Sequence, residues 1–236
     1  MDHFTGGQFL IAGGFVDGAS DEITEVVELV NTSTTPSFGQ LPSERVFAVG
    51  AMFGNAPLLC GGEEKQSKLD TCISYQDSQW SQSYSMIQKR SRTAGVQVNS
   101  STFWILGGYD DSTEFIIQGH TKGVPGPKLP FPDLLDMCVV KLSESEIFVI
   151  GGRTVSSARN EVWIYDPQNG FVRNQGPYLH IRRFAHSCST MRDGQKTKII
   201  AAGGIRGSVN SENFLKFIEI YDPTDNTWHS GKKYPN

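Results

Sequence analysis

An all-β fold made of repeated sheets is predicted for this chain by three observations. A Gly-Gly pair recurs five times, each pair closes a short apolar run, and amphipathic helical periodicity is hard to find between them. The pairs are Gly13-Gly14, Gly61-Gly62, Gly107-Gly108, Gly151-Gly152 and Gly203-Gly204. Successive pairs lie roughly 44 to 52 residues apart, the range of a repeat that cannot bury its apolar face alone.

The elements of one repeat follow in order. A first, innermost strand precedes each of the last four pairs: Val46–Val49, Ala94–Val98, Met137–Leu142 and Phe184–Cys188. Turn residues come next, at Gly54-Asn55, Asn99-Ser100-Ser101 and Asp193-Gly194, and these give a hairpin signal. The second strand is the apolar run itself: Phe9–Ala12, Leu58–Cys60, Phe103–Leu106, Ile147–Ile150 and Ile199–Ala202. After each pair a polar loop leads to a third strand, such as Ile23–Leu29 and Glu161–Tyr165. Tyr165-Asp166-Pro167 and Tyr221-Asp222-Pro223 end that strand, because Asp starts a turn and Pro presets its φ. A fourth strand carries an aromatic, Trp80, Phe171 or Trp228, with Phe38 the counterpart in the first repeat.

Four antiparallel strands repeated radially make a β-propeller, with repeats at about 1–41, 42–88, 89–130, 131–179 and 180–236 of a single domain. The first repeat has no room for an innermost strand, since only Met1 to Thr5 precede its Gly6-Gly7 turn. The expectation is therefore four full four-stranded blades plus one truncated N-terminal blade. Either a stub closes a five-bladed ring, or the chain is part of a longer, six-bladed protein, and the second option is preferred.

The bulk composition narrows the function. With 21 basic and 25 acidic residues and a net charge of −4, the chain is not a phosphate-backbone binder, so no nucleic-acid partner is expected. No apolar run reaches the length of a membrane span, and Met1-Asp2-His3-Phe4 lacks the basic start of a signal peptide. A cytoplasmic location is expected on that ground, or secretion if an N-terminal segment is missing. Two sequons, Asn31-Thr32-Ser33 and Asn99-Ser100-Ser101, are no more than chance supplies in a chain of this length. Cys60, Cys138 and Cys188 are expected as buried thiols in strands. Cys60 and Cys72 flank one hairpin, but cross-strand geometry rarely suits a disulfide, so no disulfide framework is expected. The five histidines are scattered, there is no Cys-x-x-Cys, and each Gly-Gly ends a strand where a phosphate loop would open a helix. No metal and no cofactor are expected.

An apolar strand, Gly-Gly, a polar loop, a strand ending Tyr-Asp-Pro and then Trp resembles the kelch repeat. The resemblance is closest at Ile147 to Pro167 and at Ile199 to Trp228. The second repeat has Tyr75 and Trp80 without the Asp-Pro, and the first and third are degenerate. In the third, Phe115–Gly119 replaces the Tyr end and Pro125–Lys128 stands where Trp is expected. The resemblance spans essentially the whole chain. It implies a propeller whose loops between strands two and three, with those linking blades, form a partner-binding face.

Those loops carry Glu63 and Glu64, Asp110 and Asp111, then Arg153, Arg159 and Arg206, an acidic side and a basic side that suit a bipolar peptide. Surface loops are polar in any case. Aligning the innermost strands puts Arg45, Arg92, Asp136 and Arg183 in one equivalent position. A partial ring of arginines binds an acidic or phosphorylated segment, or else bonds internally to loop carbonyls. The expected function is a non-catalytic module binding a protein or peptide. The alternatives are a kelch enzyme of copper-oxidase or carbohydrate-active type, or a structural propeller that assembles through an edge strand. The oxidase set of two Tyr, two His and a cross-linked Cys cannot be placed here. His186 beside Arg183 is the one pair to offer a carbohydrate site, and His186 reads better as a satisfied core residue.

Overall fold

Each apolar run ahead of a glycine pair becomes the second strand of an antiparallel sheet. The structure is a computed structural model that describes residues 9–15, 23–30, 39–108, 110–172, 177–208 and 213–233. Among the described residues there are nineteen strands and no helix. Strands β1 (Phe9–Phe15) and β2 (Ile23–Val30) form a two-stranded sheet. The second sheet contains β3 (Val49–Phe53), β4 (Ala56–Cys60), β5 (Glu63–Glu64), β6 (Ser67–Gln76) and β7 (Gln79–Arg90). Here β3, β4, β6 and β7 follow one another as a meander, and the two-residue β5 folds back on β6.

Three four-stranded meanders follow. They are β8 (Ala94–Asn99), β9 (Thr102–Leu106), β10 (Thr113–Ile117) and β11 (Val124–Pro125); β12 (Cys138–Ser143), β13 (Glu146–Ile150), β14 (Val162–Asp166) and β15 (Gly170–Val172); and β16 (Ser187–Asp193), β17 (Lys196–Ala202), β18 (Phe217–Asp222) and β19 (Thr227–Lys233). The expected turns are in place. Asn99 Oδ1 accepts from the Ser101 amide at 2.9 Å between β8 and β9, and β14 and β18 stop at the Asp of their Tyr-Asp-Pro turns. Phe38 lies outside the described residues.

The chain divides into two compact units, Met1–Leu106 with Thr113–Gly126, and Gly107–Ser112 with Pro127–Asn236. In the first unit Phe53, Leu58, Cys60, Met86, Phe103, Ile105 and Ile116 form one buried cluster. In the second, Phe148, Ile150, Val162, Leu179, Ile199, Tyr221 and Trp228 do the same. Phe103 and Phe148 are wholly inaccessible, and burial of such a side chain is worth about 1.5 to 3 kcal/mol. Tyr75 meets Trp80, and Tyr221 meets Trp228, at ring distances of 5.5 and 5.6 Å, so these aromatics pack as expected.

The glycine pair is a junction between successive repeats. Gly152 donates its N–H to the Arg183 carbonyl of the following repeat at 2.9 Å. A Cβ on Gly151 would meet that same carbonyl at 2.6 Å, and Gly151 and Gly152 have φ of 57° and 92°. Close approach and left-handed backbone together leave no room for a larger residue.

Two expectations are corrected. The innermost strands Val46–Val49 and Phe184–Cys188 begin later, at Val49 and Ser187. The cause is a left-handed residue at the start of each such segment, Phe47 (φ 54°) and Ala185 (φ 50°) here, as also at Arg92 and Asp136. None of the four is a glycine, so the sequence carries no signal for the conformation. The cysteines are disulfide-bonded. Cys60 and Cys72 stand directly opposite on β4 and β6 with Cα atoms 4.0 Å apart, and Cys138 on β12 joins Cys188 on β16 with Cα atoms 5.9 Å apart. The second bridge staples two innermost strands whose partners were invisible without the packing of neighbouring sheets.

Candidate functional site

The arginines expected at one position occupy two. Backbone bridges make Val46, Leu135 and Phe184 equivalent, because each pairs with the residue that follows a glycine pair: Glu63, Arg153 and Ile205. The residue before each is then Arg45, Leu134 or Arg183, and the residue after is Phe47, Asp136 or Ala185. Arg92 belongs with the latter set, since its amide donates to the Phe47 carbonyl at 3.2 Å just as Ala185 donates to Asp136 at 2.8 Å. Arg90 is thus the third-repeat counterpart of Arg45 and Arg183. A slip of two residues keeps every side chain on its face of a strand, which is why the alternation of the sequence could not detect it.

Arg45 and Arg183 are buried, at 4% and 0% exposure, and bond internally. Arg45 Nη1 donates to the carbonyls of Gly61 (2.9 Å) and Thr71 (3.0 Å), and its desolvation lowers its pKa while Glu64 opposes the shift. Arg183 Nη1 donates to the carbonyls of Gly203 (3.0 Å) and Phe217 (3.2 Å), and its Nη2 pairs with Glu219 Oε1 at 2.7 Å. Arg90 makes the matching pair with Glu114, also at 2.7 Å. This position is a clamp on the start of the third strand and offers no charge to a partner.

The remaining candidates are placed as follows. The Arg92 guanidinium lies 3.6 Å over the Phe47 ring. Asp136 and Arg153 come together as an ion pair of 2.7 Å, 10% and 8% exposed. Glu63 accepts from the Ser91 hydroxyl at 2.5 Å, and Glu64 is half-buried on β5. Asp110 caps its own turn by accepting from the Ser112 amide and hydroxyl. Asp111 pairs with Lys128 at 3.0 Å, and Arg159 pairs with Glu161 at 3.1 Å while covering Phe131. Among the loop charges, Arg206 alone of the notebooked arginine trio 153, 159 and 206 is exposed.

Arg206 lines an open pocket of about 510 Å³ in the second compact unit. Its walls are the loop after Gly151-Gly152 (Ser156, Ser157, Ala158), the loop after Gly203-Gly204 (Arg206, Gly207, Ser208) and the segment His180–Arg182 that links the two repeats. The walls are tied together. The Ala158 amide donates to the Gly207 carbonyl at 3.2 Å, Asn160 and Leu179 exchange two bonds, and the Arg206 amide donates to Asn213. Glu219 Oε2 accepts from the His180 amide at 2.7 Å and contacts its ring Nδ1 at 2.9 Å, so the buried Arg183–Glu219 pair fixes the third wall. Two large apolar side chains stand out on the same two loops, Val155 and Phe214, each 70% exposed.

Residues 195–233 match the Kelch motif. The match covers β17, β18 and β19 and bears out the kelch resemblance at one of the two repeats where it was closest. No curated protein matches the chain. Within this kelch repeat Glu219 and Phe214, and in the linking segment His180 and Arg182, are site residues that sequence reasoning passed over. The signal for Glu219 was an acid in the middle of an otherwise apolar strand, Phe217–Tyr221.

His186 is buried as expected of a core residue, at 8% exposure, but it is not satisfied: neither ring nitrogen has a hydrogen-bond partner. Burial, assisted by the nearby Arg183 charge, pushes its pKa down to about 3, so it is a neutral ring. It stands where Met137 stands one repeat earlier, and both pack against glycine pairs: Met137 on Gly107 and Gly152, His186 on Gly151 and Gly204.

Proposed function

We propose that the chain is a kelch-type β-propeller module, without catalysis of its own, that holds a protein or peptide partner on the loops following its glycine pairs. Four successive meandering sheets, the short first sheet and the Kelch match support four full blades and a fifth reduced one. The observation that carries the functional reading is Val155 and Phe214. Each is 70% exposed on a loop whose backbone is bonded to its neighbours, which is the arrangement of anchor residues on a prepared surface.

The enzyme alternative had His186 with Arg183 as its pair, and the burial of both favours a structural role for them. The two disulfides support an oxidising compartment over the cytoplasm, since such bridges are rare where thiols are kept reduced. The test of the reading is capture. A partner held by the wild-type protein is identified, purified and bound again in isolation; V155D/F214D, with an unchanged melting temperature, is expected to bind it at least about tenfold more weakly. Equal binding by the double variant rejects the loop face.

A further inference from the structure

We propose that the pocket between the loops after Gly151-Gly152 and Gly203-Gly204 is a receptor for a phosphorylated side chain of the partner peptide. The inference rests on the loop-face reading and names the group recognised there. Arg182 and Arg206 are exposed cations on two different walls, and among the described residues no ion pair is formed by Arg182. Ser156, Ser157 and Ser208 add three hydroxyl donors, and the His180 ring is oriented by its 2.9 Å contact with Glu219. Glu219 is itself turned inward, 2% exposed and engaged by Arg183, so it does not oppose an anion in the pocket.

The donor count decides between anions. Two guanidinium groups and three hydroxyls exceed what the two oxygens of a carboxylate accept, whereas a phosphoryl group has three acceptor oxygens and close to two charges. The volume of about 510 Å³ admits that group with its side chain. The site is also prepared, because Ala158 to Gly207 and His180 to Glu219 fix the walls before any ligand arrives. Val155 and Phe214 on the same loops give the residues flanking the phosphate an apolar seat.

The probes are a fluorescent Gly-Ser-rich peptide with one central phosphoserine and an apolar neighbour, the same peptide with serine or glutamate at that place, and inorganic phosphate as competitor. Anisotropy is read for the wild-type protein, R182Q/R206Q and R182E/R206E. Both arginines are exposed, so melting temperatures are expected to be unchanged. The expected result is binding of the phosphopeptide alone, weakened about tenfold or more in R182Q/R206Q and abolished in R182E/R206E. The proposal is overturned by absence of phosphopeptide binding to the wild-type protein, by equal binding of the glutamate peptide, by competition showing that inorganic phosphate binds as tightly as the peptide, or by undiminished binding in both variants. Loss of partner capture in V155D/F214D alongside any of these would leave the loop face standing and remove only the phosphate receptor.

Discussion

The fourth and fifth repeats use one position in opposite ways. In the fifth, Arg183 and Glu219 form a buried ion pair, and Glu219 also accepts from the amides of His180 and Ile181. In the fourth, the matching places hold Leu134, Trp163 and Phe131, and Phe131 meets Trp163 edge-on at 5.0 Å. The same backbone is thus closed once by charge and once by apolar packing. The difference lies in what the clamp supports: in the fifth repeat it orients His180 and hence a wall of the pocket, whereas in the fourth it only fills the core. A buried ion pair adds little net stability over apolar packing, so its use here fits a positioning role.

Breaking the clamp has the largest expected effect. Glu219→Leu leaves the Arg183 charge buried without its acid and should cost about 3 to 5 kcal/mol in urea unfolding. R183L/E219L, which imitates the fourth repeat, should cost less than Glu219→Leu alone. A double variant as unstable as the single one would mean that the two repeats are not interchangeable at this position.

The next effect is the staple between the two repeats. Cys138 and Cys188 are 50 residues apart, and removing that cross-link with C138A/C188A should cost about 2 to 4 kcal/mol. Thiol labelling of the unreduced, denatured protein checks the premise, because no free cysteine is expected.

A third comparison sharpens the role of the glycine pairs. The nearest atom to a Cβ on Gly203 is the Leu215 carbonyl at 3.8 Å, while on Gly151 it is the Arg183 carbonyl at 2.6 Å. Both have left-handed φ, so each alanine substitution carries strain of about 1 kcal/mol or more, but Gly151→Ala adds a backbone clash and should be the more destabilising. Equal losses in melting temperature would show that conformation alone sets the glycine requirement.

The smallest effect is on pH dependence. With His186 held neutral to about pH 3 in the folded state and titrating near its ordinary value when unfolded, the unfolded chain binds the extra proton between those limits. Stability from this residue is therefore present above about pH 6.5 and is lost as pH falls toward 3, by up to about 1.4 kcal/mol per pH unit. His186→Met, which copies Met137, should flatten that slope and unfold at lower pH than the wild type. Parallel acid-unfolding curves would contradict the assignment.

Much of the scaffold was legible because its determinants are local. Gly61-Gly62 through Gly203-Gly204 mark the ends of second strands, and Asp166-Pro167 and Asp222-Pro223 mark the ends of third strands. The site was less so. Arg92 was grouped with Arg183 because a two-residue slip preserves alternation, and only the Arg92-to-Phe47 bond reveals the register. Cys138 and Cys188 lie in separate sheets and meet only through packing. His180 and Arg182 lie in a linker with no motif, and they matter because Glu219 holds that linker beside two loops.

The most direct test of the account compares the loop variant V155D/F214D with the scaffold variant C138A/C188A for binding of the purified partner, with thermal melting measured in parallel. The account predicts that the loop variant loses at least about tenfold in affinity at unchanged melting temperature, while the scaffold variant melts earlier and, below its transition, binds normally. A loop variant that binds the partner as tightly as the wild type would contradict it.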